Sequence, residues 1–163
     1  MVDTLILYFT RSGTTEKLAI QLAKRLGADL EFIRPDISYS GIGGYFKGIW
    51  HSITGRAPTV DCKRDPAQYA TVIMGSPVWA GRLSAPARGY LMRFGAQLGP
   101  LAAFWVSGSG AAYPALSAEI ERLTGRPLLA TANFGSREVG TGAADQKLDT
   151  LVHGLETYPR KAA

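Results

Sequence analysis

Six consecutive residues, Thr10-Arg11-Ser12-Gly13-Thr14-Thr15, carry four hydroxyl side chains around a single glycine. An apolar run (Leu5, Ile6, Leu7, Tyr8, Phe9) precedes them and a helical pattern follows directly. Strand, hydroxyl-rich loop and helix N-terminus, in that order, make a receptor for an anion. Gly13 lets the backbone curl, and helical N–H groups join the Ser and Thr hydroxyls as donors to a phosphate. Two further stretches suit a flat ligand with polar edges. Ser76-Pro77-Val78-Trp79-Ala80-Gly81 follows the apolar run 71–75, and Ser107-Gly108-Ser109-Gly110, with Tyr113 beyond it, follows the run 101–106. Each alone reads as a turn, a cap or a core aromatic; their common place after apolar runs singles them out.

Other chemistries lack their residues. The chain has no G-x-x-x-x-G-K-[ST] loop, and no G-x-S-x-G surrounds Ser107 or Ser109. His51, His153 and Cys62 lack metal-ligand spacing, so no metal site and no catalytic residue is assigned. Lys63-Arg64 after Cys62 would lower its thiol pKa, but an exposed connecting loop is the simpler account of that position.

The elements that position these loops follow from hydrophobic periodicity. Leu18, Ala19, Leu22, Ala23 and Leu26 share one face of a first helix, with Glu16 in its first turn, Lys24-Arg25 in its last and Gly27 as its stop. Residues 30–33 read as a second strand ended by Arg34-Pro35. Ile42, Tyr45, Phe46, Ile49, Trp50 and Ile53 recur at helical spacing, while Gly43, Gly44 and Gly48 weaken that helix. The stripe is expected to face the core; a mobile aromatic flap over a ligand is the alternative, and His51 on it is read as a surface residue. Residues 71–75 predict a buried strand of the parallel kind, 76–84 a loop, and a helix from about Pro86 with Ala87, Tyr90, Leu91 and Phe94 inward. Residues 101–106 predict a fourth strand, and Pro114 opens a helix with Leu116, Ile120 and Leu123 inward, capped by Gly125. Residues 128–133 predict a fifth strand, 134–142 a loop, and Leu148, Leu151, Val152 and Leu155 the inner face of a last helix before a tail from Pro159.

Five strands alternating with five helices predict a doubly wound α/β fold with a parallel sheet. Ligands in such folds bind beyond the carboxyl ends of the strands, where strand order reverses. The hydroxyl-, glycine- and aromatic-rich loops follow strands one, three and four, which fits the order 2-1-3-4-5.

Bulk properties narrow the function classes. A chain of 163 residues with 46% hydrophobic residues, 19 glycines and 9 prolines is expected to form one domain over residues 1–163 with many tight loops. A single cysteine excludes an intramolecular disulfide. The first residues carry Asp3 and no basic run, so neither a signal peptide nor a membrane span is expected, and the reading is cytoplasmic. The net charge is +5, yet no basic run exceeds two residues, which argues against a nucleic-acid binder and for attraction of small anions.

These residues resemble the flavodoxin-like family. Thr10-x-Ser12-Gly13-Thr14-Thr15 is similar to its phosphate loop, Ser76 to Gly81 to its second flavin loop as found in flavodoxin-like reductases, and Ser107 to Tyr113 occupies the place of its third loop. The order of elements matches over nearly the whole chain, in the short-chain form without an insertion at strand five. The resemblance implies flavin mononucleotide (FMN) as cofactor. Its phosphate would lie among Thr10, Ser12, Thr14 and Thr15 at the first helix, with Arg11 and Gly13 in the same loop. Trp79 would stack on the ring, and Tyr113 or an aromatic of the Gly-rich helix would cover its other face. Ser76, Pro77 and Val78 would lead into that loop, Ala80 and Gly81 would face the reactive edge through their backbone, and Ser107, Gly108 and Ser109 would complete the binding set. Two features depart from the pattern. Electron-carrying members are commonly acidic whereas this chain is basic, and Arg11 stands where many relatives have a neutral residue.

Three functions remain open at this point. The first is electron transfer with a redox partner protein. The second is an NAD(P)H-dependent reductase acting on a quinone, flavin or other small acceptor, with Arg11 and Arg82 steering the anionic dinucleotide. The third is a non-redox binding module on the same scaffold.

Overall fold

The computed structural model describes residues 2–158; the tail expected from Pro159 lies outside them. Five parallel strands form the main sheet: β1 (Thr4–Tyr8), β2 (Asp29–Phe32), β3 (Thr71–Trp79), β4 (Leu101–Ser107) and β5 (Thr131–Gly135). Their spatial order is β2-β1-β3-β4-β5, as the placement of the hydroxyl-, glycine- and aromatic-rich loops predicts. Register places Leu5 beside Val72 and Asp29, Gly75 beside Phe104, and Ser107 beside Gly135. Gly75 is required there, because a Cβ would collide with the Phe104 ring.

Alternation along the strands divides the core into two layers. On one face, Ile6, Tyr8, Ile73, Phe104, Val106 and Phe134 meet Leu18 and Leu22 of α1 (Thr14–Leu26) and Leu148 and Leu151 of α5 (Gly142–Glu156). On the other, Leu5, Leu7, Val72, Met74 and Trp105 meet Tyr90 and Leu91 of α3 (Ala85–Phe94) and Leu116 and Ile120 of α4 (Pro114–Thr124). Right-handed crossovers explain the division. The chain moves one way along the sheet from β1 to β2 and the other way thereafter, so α1 and the later crossover helices take opposite faces. Arg25 ties α1 to α5 through Asp145 (2.6 Å) and Asp149 (2.9 Å).

Three expectations are corrected. The stretch 76–84 is not simply a loop: β3 runs on to Trp79 and folds back as the short strand Arg82–Leu83, pairing Val78 with Leu83 and Trp79 with Arg82. The turn residues Ala80 (φ 51°) and Gly81 (φ 72°) both have positive φ, the pattern of a tight two-residue hairpin. β5 starts three residues later than expected and includes Phe134 and Gly135, because Phe134 fills the core between Val106 and Lys147 rather than entering a loop.

The third correction concerns α2 (Gly41–Thr54), which packs the opposite way round. Only Gly44, Gly48 and Ser52 are buried, while Ile42, Tyr45, Phe46, Trp50 and Ile53 are exposed. Close approach is the physical reason. A Cβ on Gly44 would strike the Tyr39 backbone, and one on Gly48 would come within 2.8 Å of the Trp79 indole. The glycines that weaken the helix are the residues that seat it.

Candidate functional site

The carboxyl ends of β1, β3 and β4 surround a cleft lined by Thr10, Arg11, Ser12, Thr14, Thr15, Tyr45, Pro77, Val78, Trp79, Val106, Ser107, Gly108 and Ser136. At one end lies the turn into α1. Gly13 adopts φ 85° at the N-cap, and its N–H donates to Thr10 Oγ1 (3.0 Å), which fixes the curl. No side chain caps α1, so its first N–H groups remain available beside the hydroxyls of Ser12, Thr14 and Thr15. Glu16 points away and accepts from the Tyr8 hydroxyl (2.8 Å); burial and that carboxylate push the Tyr8 pKa up to about 12. Arg11 reaches out of the loop, its guanidinium 5.1 Å from the centroid of the Tyr45 ring.

At the other end, Trp79 is only 7% exposed. Phe9 meets it edge-on at 5.6 Å, Tyr39 lies 5.2 Å away between centroids, and Gly48 abuts its six-membered ring. Trp79 is therefore both core and cleft wall, held by three elements. Tyr39 in turn shares a hydrogen bond with His51 Nδ1 (3.0 Å), so His51 faces inward and is not a free surface residue. Burial, then the charges of Arg56 and Lys47, lower the His51 pKa. Burial also raises Tyr39 to about 12, with Asp36 adding to it.

Not every anticipated residue enters the cleft. Gly13 shapes the loop without lining the cleft. Ser76 is buried, sharing a hydrogen bond with Ser84 Oγ (2.7 Å) and donating to the Pro77 carbonyl, so it braces the β3 hairpin. Ala80 and Gly81 line a neighbouring cleft with Arg82, Glu119 and Arg122. Ser109 accepts from the Ala111 N–H, and Tyr113 packs against the core at the start of α4. Cys62 is half-buried, and burial pushes its thiol pKa up, the reverse of what Lys63-Arg64 suggests.

Tyr45 enters the cleft as the aromatic of the Gly-rich helix that the alternative reading placed there, whereas Val106 and Ser136 were not among the residues anticipated. Ser136 arrives because the loops after β4 and β5 are fastened together. Ser136 N–H donates to the Ser107 carbonyl (2.8 Å), Asn133 Nδ2 donates to the Gly110 carbonyl, and Gly110 N–H donates to Ser107 Oγ (2.9 Å). Lys147 holds Glu138 (2.6 Å), whose carboxylate also accepts from the Gly135 N–H, and this lowers the Glu138 pKa. Beneath the β3 hairpin, Arg88 is buried against Glu119 (2.5 Å) and donates to the Leu83 carbonyl. Among the described residues no group of three or more metal-ligating side chains occurs, and no helix is long and apolar enough to cross a membrane.

The fold is similar to those of solved flavoproteins. A flavoprotein from Lactobacillus acidophilus NCFM, in complex with FMN, superimposes with a TM-score of 0.72 at 21% identity, covering 93% of this chain and 99% of that one. The apo form of the Lactobacillus acidophilus flavoprotein matches with a TM-score of 0.59 at 20% identity, over 86% of this chain and 98% of that one. A flavodoxin from the domain Archaea matches with a TM-score of 0.52 at 15% identity, over 94% of each chain. No family model and no curated protein matches the sequence. With its strand order, these similarities give the chain the flavodoxin-like fold.

Proposed function

We propose that the chain binds FMN in the cleft between β1, β3 and β4 and acts as a flavin-dependent redox protein. The observation that carries this reading is the joining, in one cleft, of the uncapped α1 N-terminus and its hydroxyls with Trp79 and Tyr45. The donor set fits the cofactor. A phosphate with nearly two negative charges needs several donors, which Ser12, Thr14, Thr15 and the first α1 amides supply. A flat apolar ring needs aromatic walls, which Trp79 and Tyr45 supply with Pro77, Val78 and Val106 beside them. Ser107, Gly108 and Ser136 offer polar groups between the two ends. The FMN complex of a protein with this fold supports the assignment.

FMN, when bound, supplies a ring that takes up and releases electrons one or two at a time. The protein's part is to hold and shield that ring. Trp79 is fixed by Phe9, Tyr39 and Gly48, so it need not be ordered on binding. Arg11 lines the same cleft as the loop hydroxyls, with its guanidinium over the Tyr45 ring. Ala80 and Gly81 line the adjoining cleft; the resemblance that gives their backbone a role at the ring edge would need their peptide to reorient, which is least costly at Gly81.

Electron exchange with a partner protein is the first reading. A specific feature favours the NAD(P)H-dependent reductase as a second: Arg82 and Arg122 line one cleft beside the Ala80-Gly81 turn, two guanidinium groups suited to dinucleotide phosphates. Absorption spectra of the protein mixed with FMN test the shared premise, and anaerobic addition of NADH or NADPH followed by a quinone separates the readings. Bleaching by the nicotinamide and turnover with quinone support the reductase. A bound but unreactive flavin favours the partner protein, and no bound flavin leaves the non-redox module.

A further inference from the structure

We infer that the exposed face of α2 is a homodimer interface, on which the α2 helix of a second copy of the chain packs about a two-fold axis. Ile42 is 80% exposed, Phe46 64%, Trp50 60%, Ile53 54% and Tyr45 45%. Taking roughly 200 Å² for each large side chain when fully exposed, these fractions leave on the order of 600 Å² of apolar and aromatic surface on one helix. That is the upper end of what monomers keep in water, about 300–600 Å². It also approaches the roughly 800 Å² that each partner contributes to a standard interface.

The arrangement of the patch selects the occupant. Residues 42, 46 and 50 form one ridge at i, i+4, i+8, and residues 45, 49 and 53 form a second beside it. Two such ridges with a groove between them are the surface that interdigitates with an identical helix, and an isologous pair requires a self-complementary patch. The patch centre is free of charge: α2 carries only Lys47 and His51 as basic residues, and no Asp or Glu occurs between Asp36 and Asp61. Uncharged, strongly apolar centres mark homodimer interfaces rather than transient contacts. An anionic membrane surface is the weaker match. A helix that lies on lipid presents a strongly basic polar face, whereas the opposite face of α2 is Gly44, Gly48 and Ser52 packed on the protein. His51 is likewise turned in to Tyr39.

Tyr45 belongs to this patch and also lines the cleft, so the two clefts of such a dimer open beside its seam. The inference stands on exposure and patterning alone and does not depend on what the cleft binds.

Sedimentation velocity of the 163-residue chain over a range of concentrations, with Phe46→Glu and Ile42→Lys alongside, tests this. Both side chains are exposed, so circular dichroism of the variants should match the wild type. The expected result is a wild-type dimer and monomeric variants, with or without added FMN. A wild-type monomer at every concentration overturns the inference, as does a dimer that both variants retain. A monomer that floats with vesicles containing anionic lipid also overturns it and assigns the face to a membrane surface.

Discussion

Gly48 of α2 lies so close to the Trp79 indole that a Cβ on it would come within 2.8 Å of Cζ3. This contact joins the most unusual helix of the fold to the aromatic wall of the cleft. It also explains why α2 contributes no large side chain to the core: the indole occupies the space that one would need.

Gly48→Ala therefore has two linked effects. Overpacking at a seated helix costs about 1–3 kcal/mol, read as a shift of the urea midpoint, and FMN affinity falls because Trp79 must move. Gly43→Ala, on the open side of the same helix, meets nothing within 4 Å and should be neutral or slightly stabilising. Equal behaviour of the two variants would contradict the seating of α2 on Trp79.

Trp79 itself is best tested conservatively. Trp79→Ala would empty a site between Phe9 and Tyr39 at a cost of about 3–5 kcal/mol, confusing stability with binding. Trp79→Phe keeps an aromatic wall and loses part of the stacking surface, which predicts FMN binding weaker by roughly twofold to tenfold and shifted flavin potentials. Unchanged affinity and potentials would remove Trp79 from the site.

Much of this was legible in the sequence, and the reasons for the rest are physical. The alternation of strands and helices followed from periodicity, the strand order from which loops carry hydroxyls, glycines and aromatics, and the hydroxyl loop from residue type and spacing, because these are local signals. The direction of α2 was not legible: an apolar stripe predicts an inward face, and only the fit of Gly48 to Trp79 and Gly44 to Tyr39 reverses it. The same holds for Ser136, which reaches the cleft through Ser107, a contact across 29 positions of sequence that no local pattern encodes. Ser76 shows the converse, a residue with fitting chemistry whose hydroxyl turns to Ser84 instead.

Alkaline pH should expose the buried tyrosines. Tyr8 and Tyr39 rise from 10.0 to about 12 on folding, so the folded state favours their neutral forms. Their contribution to stability is complete below pH 10 and is lost as pH rises through about 12. Tyr8→Phe should give a shallower decline over that window in urea titrations at stepped pH. An identical decline in the variant would show that Tyr8 titrates alike in both states.

The phosphate end of the cleft can be separated from the ring end. Thr14→Val with Thr15→Val removes two hydroxyl donors while preserving side-chain shape. Loss of a hydrogen bond to a charged group costs about 1.5–3 kcal/mol, so FMN affinity should fall at least roughly tenfold while riboflavin binding stays nearly constant. Parallel losses for both ligands would mean that the hydroxyls do not meet the phosphate.

The most direct measurement is a fluorescence titration of the unmodified protein with FMN and, separately, with riboflavin. The account predicts quenching by FMN at micromolar concentrations or below, with riboflavin bound more weakly by about tenfold or more. Absence of FMN binding at micromolar concentrations, or equal affinity for the two ligands, would contradict it.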